Sequence, residues 1–144
     1  MNTDFTFERV FPTNSQVKIL YELLLNRSYS ISNESHPTYK HHKEFVFRHP
    51  YRQWYLIYDK KICIGSVYIH YDNSIGINLV KEITTHILNQ ILEFVRNTVR
   101  PLKPVPSVRY KDFFLNSPAK NKNLQLSLEE LGYVPNQISF VLKK

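Results

Sequence analysis

Two residues stand out for chemistry because of where they interrupt apolar runs. His70 closes the run ICIGSVYIH, and an imidazole titrates near neutrality, so it can take or give a proton under ordinary conditions. Asn78 breaks the run IGINLV, and a carboxamide there could position a water or bond a nascent amide. Each has a plainer reading: a strand-end histidine facing solvent, and the open face of a half-buried strand. Other chemistries are poorly supported. The six histidines show no His-x-x-x-His pair, and adjacent His41 and His42 would point about 100° apart on a helix. Cys63 is the only cysteine, so no metal site is expected and no internal disulfide is possible. Gly-x-Ser-x-Gly, a P-loop and a dinucleotide-binding glycine fingerprint are all missing.

The elements that must hold these residues can be read from periodicity. Residues 4–11 alternate, with Phe5, Phe7 and Val10 or Phe11 on the buried side, as a first strand does. Pro12 to Ser15 supplies a turn and a cap for a helix over 15–26 carrying Val17, Ile19, Leu20, Leu23 and Leu24. A polar loop over 27–37 leads to a second helix, Thr38 to His49, with Tyr39, His42, Phe45 and Val46 on one face. Three strands follow at Gln53–Tyr58, Ile62–Tyr71 and Ile75–Val80, joined by short turns as an antiparallel meander. Residues 82–99 carry a wide apolar stripe from Ile83 to Val99, which suits a helix lying on a sheet. Pro101, Pro104 and Pro106 end it. Strands are expected at Val108–Leu115 and Ile138–Leu142, with a helix between them. The order β-α-α-β-β-β-α-β-α-β predicts an α+β fold: a mixed, mostly antiparallel sheet flanked by helices on both faces.

The stretch Phe113 to Tyr133, FFLNSPAKNKNLQLSLEELGY, runs from a strand through an Asn-rich turn into a helix that stops at Gly132. With Asn121 and Leu131-Gly132-Tyr133 in place, it resembles the C-terminal signature of the GCN5-related N-acetyltransferases, and the element order matches that fold along nearly the whole chain. HPTYKHHKEFVFRHPYRQWYLIYDKKICIGSVYI, with His42 and Ile64-Gly65-Ser66, resembles the front half of family members that acetylate amino sugars for surface polysaccharides.

The resemblance implies an acetyl-CoA-dependent N-acetyltransferase acting on a primary amine of a small molecule, such as a nucleotide-linked amino sugar. The other reading is a degenerate acetyltransferase-like domain serving as a binding or assembly module. In the family the pantetheine arm lies between splayed fourth and fifth strands, and the pyrophosphate sits on the next helix N-terminus. That maps the cofactor onto Asn78, Leu79, Val80, Lys81, Thr84, Thr85, Asn116 and Asn121. It makes His70 and Asn78 candidates for the base. The family's acid, a tyrosine before the Leu-Gly pair, falls at Leu128, which cannot donate a proton; Tyr110, Tyr133 or a water would have to substitute. His36, Tyr39, Trp54 and Tyr55 are the implied acceptor walls, aromatic faces that suit a sugar ring. The family's glycine-containing phosphate loop is replaced by Val80-Lys81-Glu82, without glycine and with a carboxylate where phosphate would come.

With 144 residues, 42% of them apolar, the chain reads as one domain over 1–144 with a real core. The lone Cys63, inside an apolar run, reads as an inert buried thiol and suits a reducing compartment; with a polar start and no membrane-length apolar run, a cytoplasmic protein is expected. The +7 charge is uneven. Residues 96–144 hold nine Lys/Arg against three Asp/Glu, whereas residues 1–95 hold ten against nine. A basic last third suits an anionic partner such as a CoA pyrophosphate, or is simply a solvated surface. Nucleic acid is not expected, because no Arg/Lys run has interleaved aromatics. A homodimer is compatible with the sequence, which leaves the oligomeric state open.

Overall fold

Alternating side chains give each strand two faces, and both faces here are apolar, so the sheet needs a cover on each side. A computed structural model describes residues 5–26 and 36–144, and shows that arrangement. The elements are β1 (Phe5–Arg9), α1 (Asn14–Asn26), α2 (Tyr39–Phe47), β2 (Gln53–Asp59), β3 (Ile62–Ile69), β4 (Ser74–Leu79), α3 (Thr85–Thr98), β5 (Phe114–Leu115) and α4 (Lys122–Glu130). The sheet runs β1-β2-β3-β4-β5, antiparallel through β4 and parallel between β4 and β5. The expected polar loop falls mostly on residues 27–35, outside the described residues.

On one face α3 buries Ile87, Leu88, Ile91, Leu92 and Val95 against Tyr55, Ile57, Val67, Ile69 and Ile75, and α4 adds Leu124. Five such side chains leaving water contribute on the order of 10 kcal/mol. Phe7 of β1 stacks on Phe94, centroids 3.8 Å apart. On the other face α1 and α2 place Val17, Leu20, Leu23 and Val46 over Val10, Trp54 and Leu56. Helix starts follow their caps: Thr13 Oγ1 accepts from Gln16 N–H, Thr38 Oγ1 from His41, Thr84 Oγ1 from Ile87, and Asn121 Oδ1 from Leu124. The cap at Thr84 starts α3 at Thr85, three residues later than the apolar stripe suggests. Gly132, at φ +92°, ends the last helix in the left-handed conformation expected of it.

Two expected strands differ. The strand over Val108–Leu115 shrinks to Phe114–Leu115. Residues 105–109 instead form a tight turn with Ser107 at φ 63°, and Asn73 holds the flanking backbone. Asn73 Nδ2 donates to the carbonyls of Leu102 (2.9 Å) and Tyr110 (2.8 Å), and its Oδ1 accepts from Leu102 N–H (2.8 Å). The bond to Tyr110 satisfies a carbonyl that a longer strand would have paired. Ile138–Leu142 forms no strand at all. Its side chains are exposed, and it has no ladder partner among the described residues.

Candidate active site

Parallel pairing between β4 and β5 covers only Ser74 with Phe114 and Ile75 with Leu115. Beyond Ile75, β4 continues for four residues while the other chain turns away through Asn116 toward α4. The strands therefore splay, and β4 keeps an open backbone edge. A cavity of ≈ 230 Å³ occupies the gap. Ile77, Leu79 and Val80 line one side, Lys81, Glu82 and Ile83 the mouth, and Asn121, Asn123 and Leu124 the α4 side. A second cavity of ≈ 310 Å³ lies across the Lys81–Thr84 loop, between Phe5, Asp59, Lys81 and the first turn of α3. The two together flank the α3 N-terminus, where backbone N–H groups favour anions.

No family model matches this sequence, and no curated protein matches it with significance. Solved structures do match in shape. A dodecameric spermidine N-acetyltransferase from Vibrio cholerae superposes with TM-score 0.61 at 17% identity, over 94% of this chain and 82% of that one. A domain from Methanocaldococcus jannaschii gives TM-score 0.63 at 13% identity, over 96% and 93%. An aminoglycoside acetyltransferase from an uncultured soil metagenomic sample gives 0.56 at 12%, over 100% and 99%. This is the GCN5-related N-acetyltransferase fold. At such identities the likeness speaks for the acetyltransferase fold and not for the chemistry.

The cleft suits one half of acetyl-CoA, the donor the sequence resemblance implies, better than the other. A slender pantetheine arm suits the gap, because β4 beyond Ile75 offers backbone groups at Ile77 and Leu79 that are unpaired among the described residues, beside apolar side chains. The phosphate end is less well served. Thr84 spends its hydroxyl on the Ile87 N–H and its carbonyl on Leu88, which leaves the Thr85 and His86 N–H groups open among the described residues. Thr85 Oγ1 donates to Glu130 Oε2 (2.7 Å), and Lys81 Nζ pairs with Asp59 at 3.5 Å. Glu82 accepts a 2.7 Å bond from Asn123 Nδ2, bridging the cavity mouth with a carboxylate facing any incoming phosphate. Asn116 is exposed, and Asn121 is occupied as the α4 cap while still lining the cavity.

The three residues expected to carry proton transfer are not one cluster. Asn78 pairs with Ser66 of β3, on the sheet face opposite Ile77 and Leu79, so its side chain looks toward the α1/α2 side of the cleft. His70 sits past the end of β3, bonded through its N–H to the Ser74 carbonyl, with its ring edge-on to Tyr51 and Tyr68. Asn78 lies four positions along β4 from Ser74, roughly 13 Å along the strand. Tyr110 is half exposed beside Phe114, its hydroxyl bonded to Asn136 and Gln137. Leu128 packs on the core, as a leucine there should, and the Tyr133 hydroxyl accepts from Arg96.

The expected acceptor walls also separate. Trp54 and Tyr55 are neighbours on β2 and face opposite sides: Trp54 joins the α1/α2 cluster, while Tyr55 lies under α3 against Phe94. Tyr55 is thus core packing. Tyr39 stands on α2 edge-on to Tyr21, and His36 is exposed just before it. The aromatic surface on the Asn78 side of the sheet is built instead from Tyr51, Tyr68, Trp54, His49 and Phe45, with Tyr51 stacked on Tyr68 at 4.3 Å. Only Trp54 of these was expected. The signal for Tyr68 was available in Gly76, its cross-strand partner, where a Cβ would sit 2.1 Å from the Tyr68 ring. Burial pushes the Cys63 thiol up, away from the thiolate range, in keeping with an inert residue.

Proposed function

We propose that the chain is an acetyl-CoA-dependent N-acetyltransferase acting on a primary amine of a small molecule, with nucleotide-linked amino sugars the acceptors to try first. The observation that carries this reading is the β4–β5 splay with its cavity, which ends at the α3 N-terminus. Bound there, the thioester would supply an activated acetyl carbon: the amine nitrogen bonds it, the carbon–sulfur bond breaks, and the amine's proton is passed on to restore the thiol. The open edge of Ile77–Leu79 would hold the arm. Lys81, Thr84, Thr85 and Asn121 would meet its polar end. Asn78 would position the water that carries the amine's proton away, a role that asks only for hydrogen bonds from a group with no titration near neutrality. Among the ionisable candidates, Tyr110 packs edge-on against Phe114 of β5.

A second reading has its own observation. Glu82 bonded across the mouth to Asn123, together with the glycine-free loop, favours a degenerate domain that binds without transferring. The purified chain, acetyl-CoA and a panel of primary amines, followed by thiol release, separate the two. Amine-dependent release is expected. Binding of acetyl-CoA with no release for any amine would leave the second reading standing.

A further inference from the structure

Four of the nine cations in the basic last third, Arg100, Lys103, Arg109 and Lys111, lie away from the end of β4 where the donor's phosphates would come. At that end Lys81 lines both cavities and is spent on Asp59. The four collect at the opposite end of the sheet. Pairing of Gln53 with Ile69, Ile69 with Ile75 and Ser74 with Phe114 brings the start of β2, the end of β3 and the starts of β4 and β5 together there. The chain after α3 returns to the same place. Arg52 Nη1 donates to the Arg100 carbonyl at 2.8 Å, and Arg109 Nη1 to the Tyr71 carbonyl at 3.2 Å.

Arg52 thus joins the four, and among the described residues none of the five has a carboxylate partner. Two carboxylates lie near them in the chain: Asp72 accepts from the Ser74 N–H at 2.9 Å, and Asp112 follows Lys111. An excess of unpaired cations draws an anion. Arg52 and Arg109 are held by backbone carbonyls, and a guanidinium so held keeps further donors in its fork. Aromatic rings accompany the charge. Tyr71 is 59% exposed. On the Asn78 side of the sheet, Tyr51 stacks on Tyr68, with His70 edge-on to both. Tyr68 lies opposite Gly76, midway between Ser74 and Asn78. From Asn78 to the basic end is therefore roughly 13 Å of strand, a span comparable to a sugar ring with a diphosphate attached.

We infer that this end of the sheet holds the acceptor's diphosphate, the acceptor being a nucleoside diphosphate that carries the amino sugar. Arg52, Arg109, Lys103 and Lys111 meet the phosphates, and the exposed ring of Tyr71 takes the base. The sugar lies over Tyr51 and Tyr68 with its amine toward Asn78. This orientation rests on the acetyl-transfer reading; the anion site itself does not. Donor and acceptor phosphates then occupy opposite ends of β4 and do not compete for one set of cations.

Calorimetry on the full chain at low salt, with UDP as the probe, tests this directly. UDP should bind, inorganic pyrophosphate more weakly, and uridine not at all. Lys103→Glu/Lys111→Glu changes two exposed side chains and should keep its helical circular dichroism, yet weaken UDP about tenfold or more. Its affinity for acetyl-CoA should stay that of the wild type. Lys18→Glu/Lys61→Glu makes the same change of net charge at exposed sites elsewhere, and should alter UDP affinity by no more than about twofold. No UDP binding at millimolar concentration, equal losses in the two double variants, or pyrophosphate bound as tightly as UDP would each overturn the inference. A single-stranded oligonucleotide bound more tightly than UDP would overturn it too, in favour of a nucleic-acid surface. Acetyl-CoA binding without UDP binding would end this inference and leave the transfer reading; UDP binding without acetyl-CoA binding would uphold the anion site and end the transfer reading.

Discussion

Glu82 is the sharpest handle on whether the cleft takes a phosphate. It stands two residues before the Thr84 cap, lines the cavity mouth, and is held by Asn123 at 2.7 Å. A phosphate received by the open Thr85 and His86 N–H groups would lie about one helical turn from that carboxylate, on the order of 6 Å. In a wet mouth with an effective dielectric of about 60, the repulsion is about 1 kcal/mol, a fivefold loss of affinity. Glu82→Gln should recover about that factor, and Glu82→Lys, which reverses the charge, about 25-fold. The gain should shrink at physiological salt, where charges are screened over about 8 Å. Calorimetry at low salt with acetyl-CoA reads the effect, and acetyl-pantetheine, which has no adenosine phosphates, is the control. Equal affinities of wild type and both variants for acetyl-CoA, or equal gains for acetyl-pantetheine, would refute the placement of phosphate at α3.

Other perturbations probe the frame that holds the cleft open. Asn73→Ala removes three buried hydrogen bonds and places a Cβ-bearing residue without a polar partner at φ 74°, so urea unfolding should show a loss of about 3–5 kcal/mol. A Cβ at Gly65 would meet the Asn78 carbonyl at 2.1 Å, and backbone cannot step aside, so Gly65→Ala should cost about 3–4 kcal/mol. Gly76→Ala meets the Tyr68 ring instead and should cost about 1–3 kcal/mol, with a favourable coupling to Tyr68→Leu in a double-mutant cycle. His42 is buried, and the 3.1 Å contact of its Nε2 with the Val17 carbonyl needs the proton on Nε2; burial holds its pKa below 6.5, as it does for His49. The unfolded chain therefore takes up protons first. Stability should be full above pH 6.5 and fall as pH drops below it, with a shallower fall in His42→Asn.

Much of the fold was legible because it rests on local pattern. The stripe from Ile87 to Val95 specifies a helix on a sheet, and Gly132 marks a helix end that needs a left-handed residue. The glycine-free Val80-Lys81-Glu82 loop was equally plain. What periodicity cannot supply is the partner. Ile138–Leu142 alternates like a strand, yet a strand exists only where an edge receives it. Val108–Leu115 reads as a strand too, but within it the Tyr110 carbonyl is taken by the side chain of Asn73, 37 residues away. Facing is lost for the same reason: Trp54 and Tyr55 look like one aromatic wall in sequence and lie on opposite sides of β2. The cluster of Tyr51 and Tyr68 assembles across strands, where no linear motif runs.

The claim on which the functional account stands is that the gap beside Ile77–Leu79 receives the pantetheine arm of acetyl-CoA. A ligand that binds only the folded chain must raise its melting temperature, by about 2.7 kcal/mol of added stability at a hundred times its dissociation constant. A thermal-shift titration should therefore show a rise of roughly 5–10 °C at millimolar acetyl-CoA. That rise should vanish when Leu79→Trp fills the gap. A flat melting temperature for the wild-type chain at the same concentration would contradict the account.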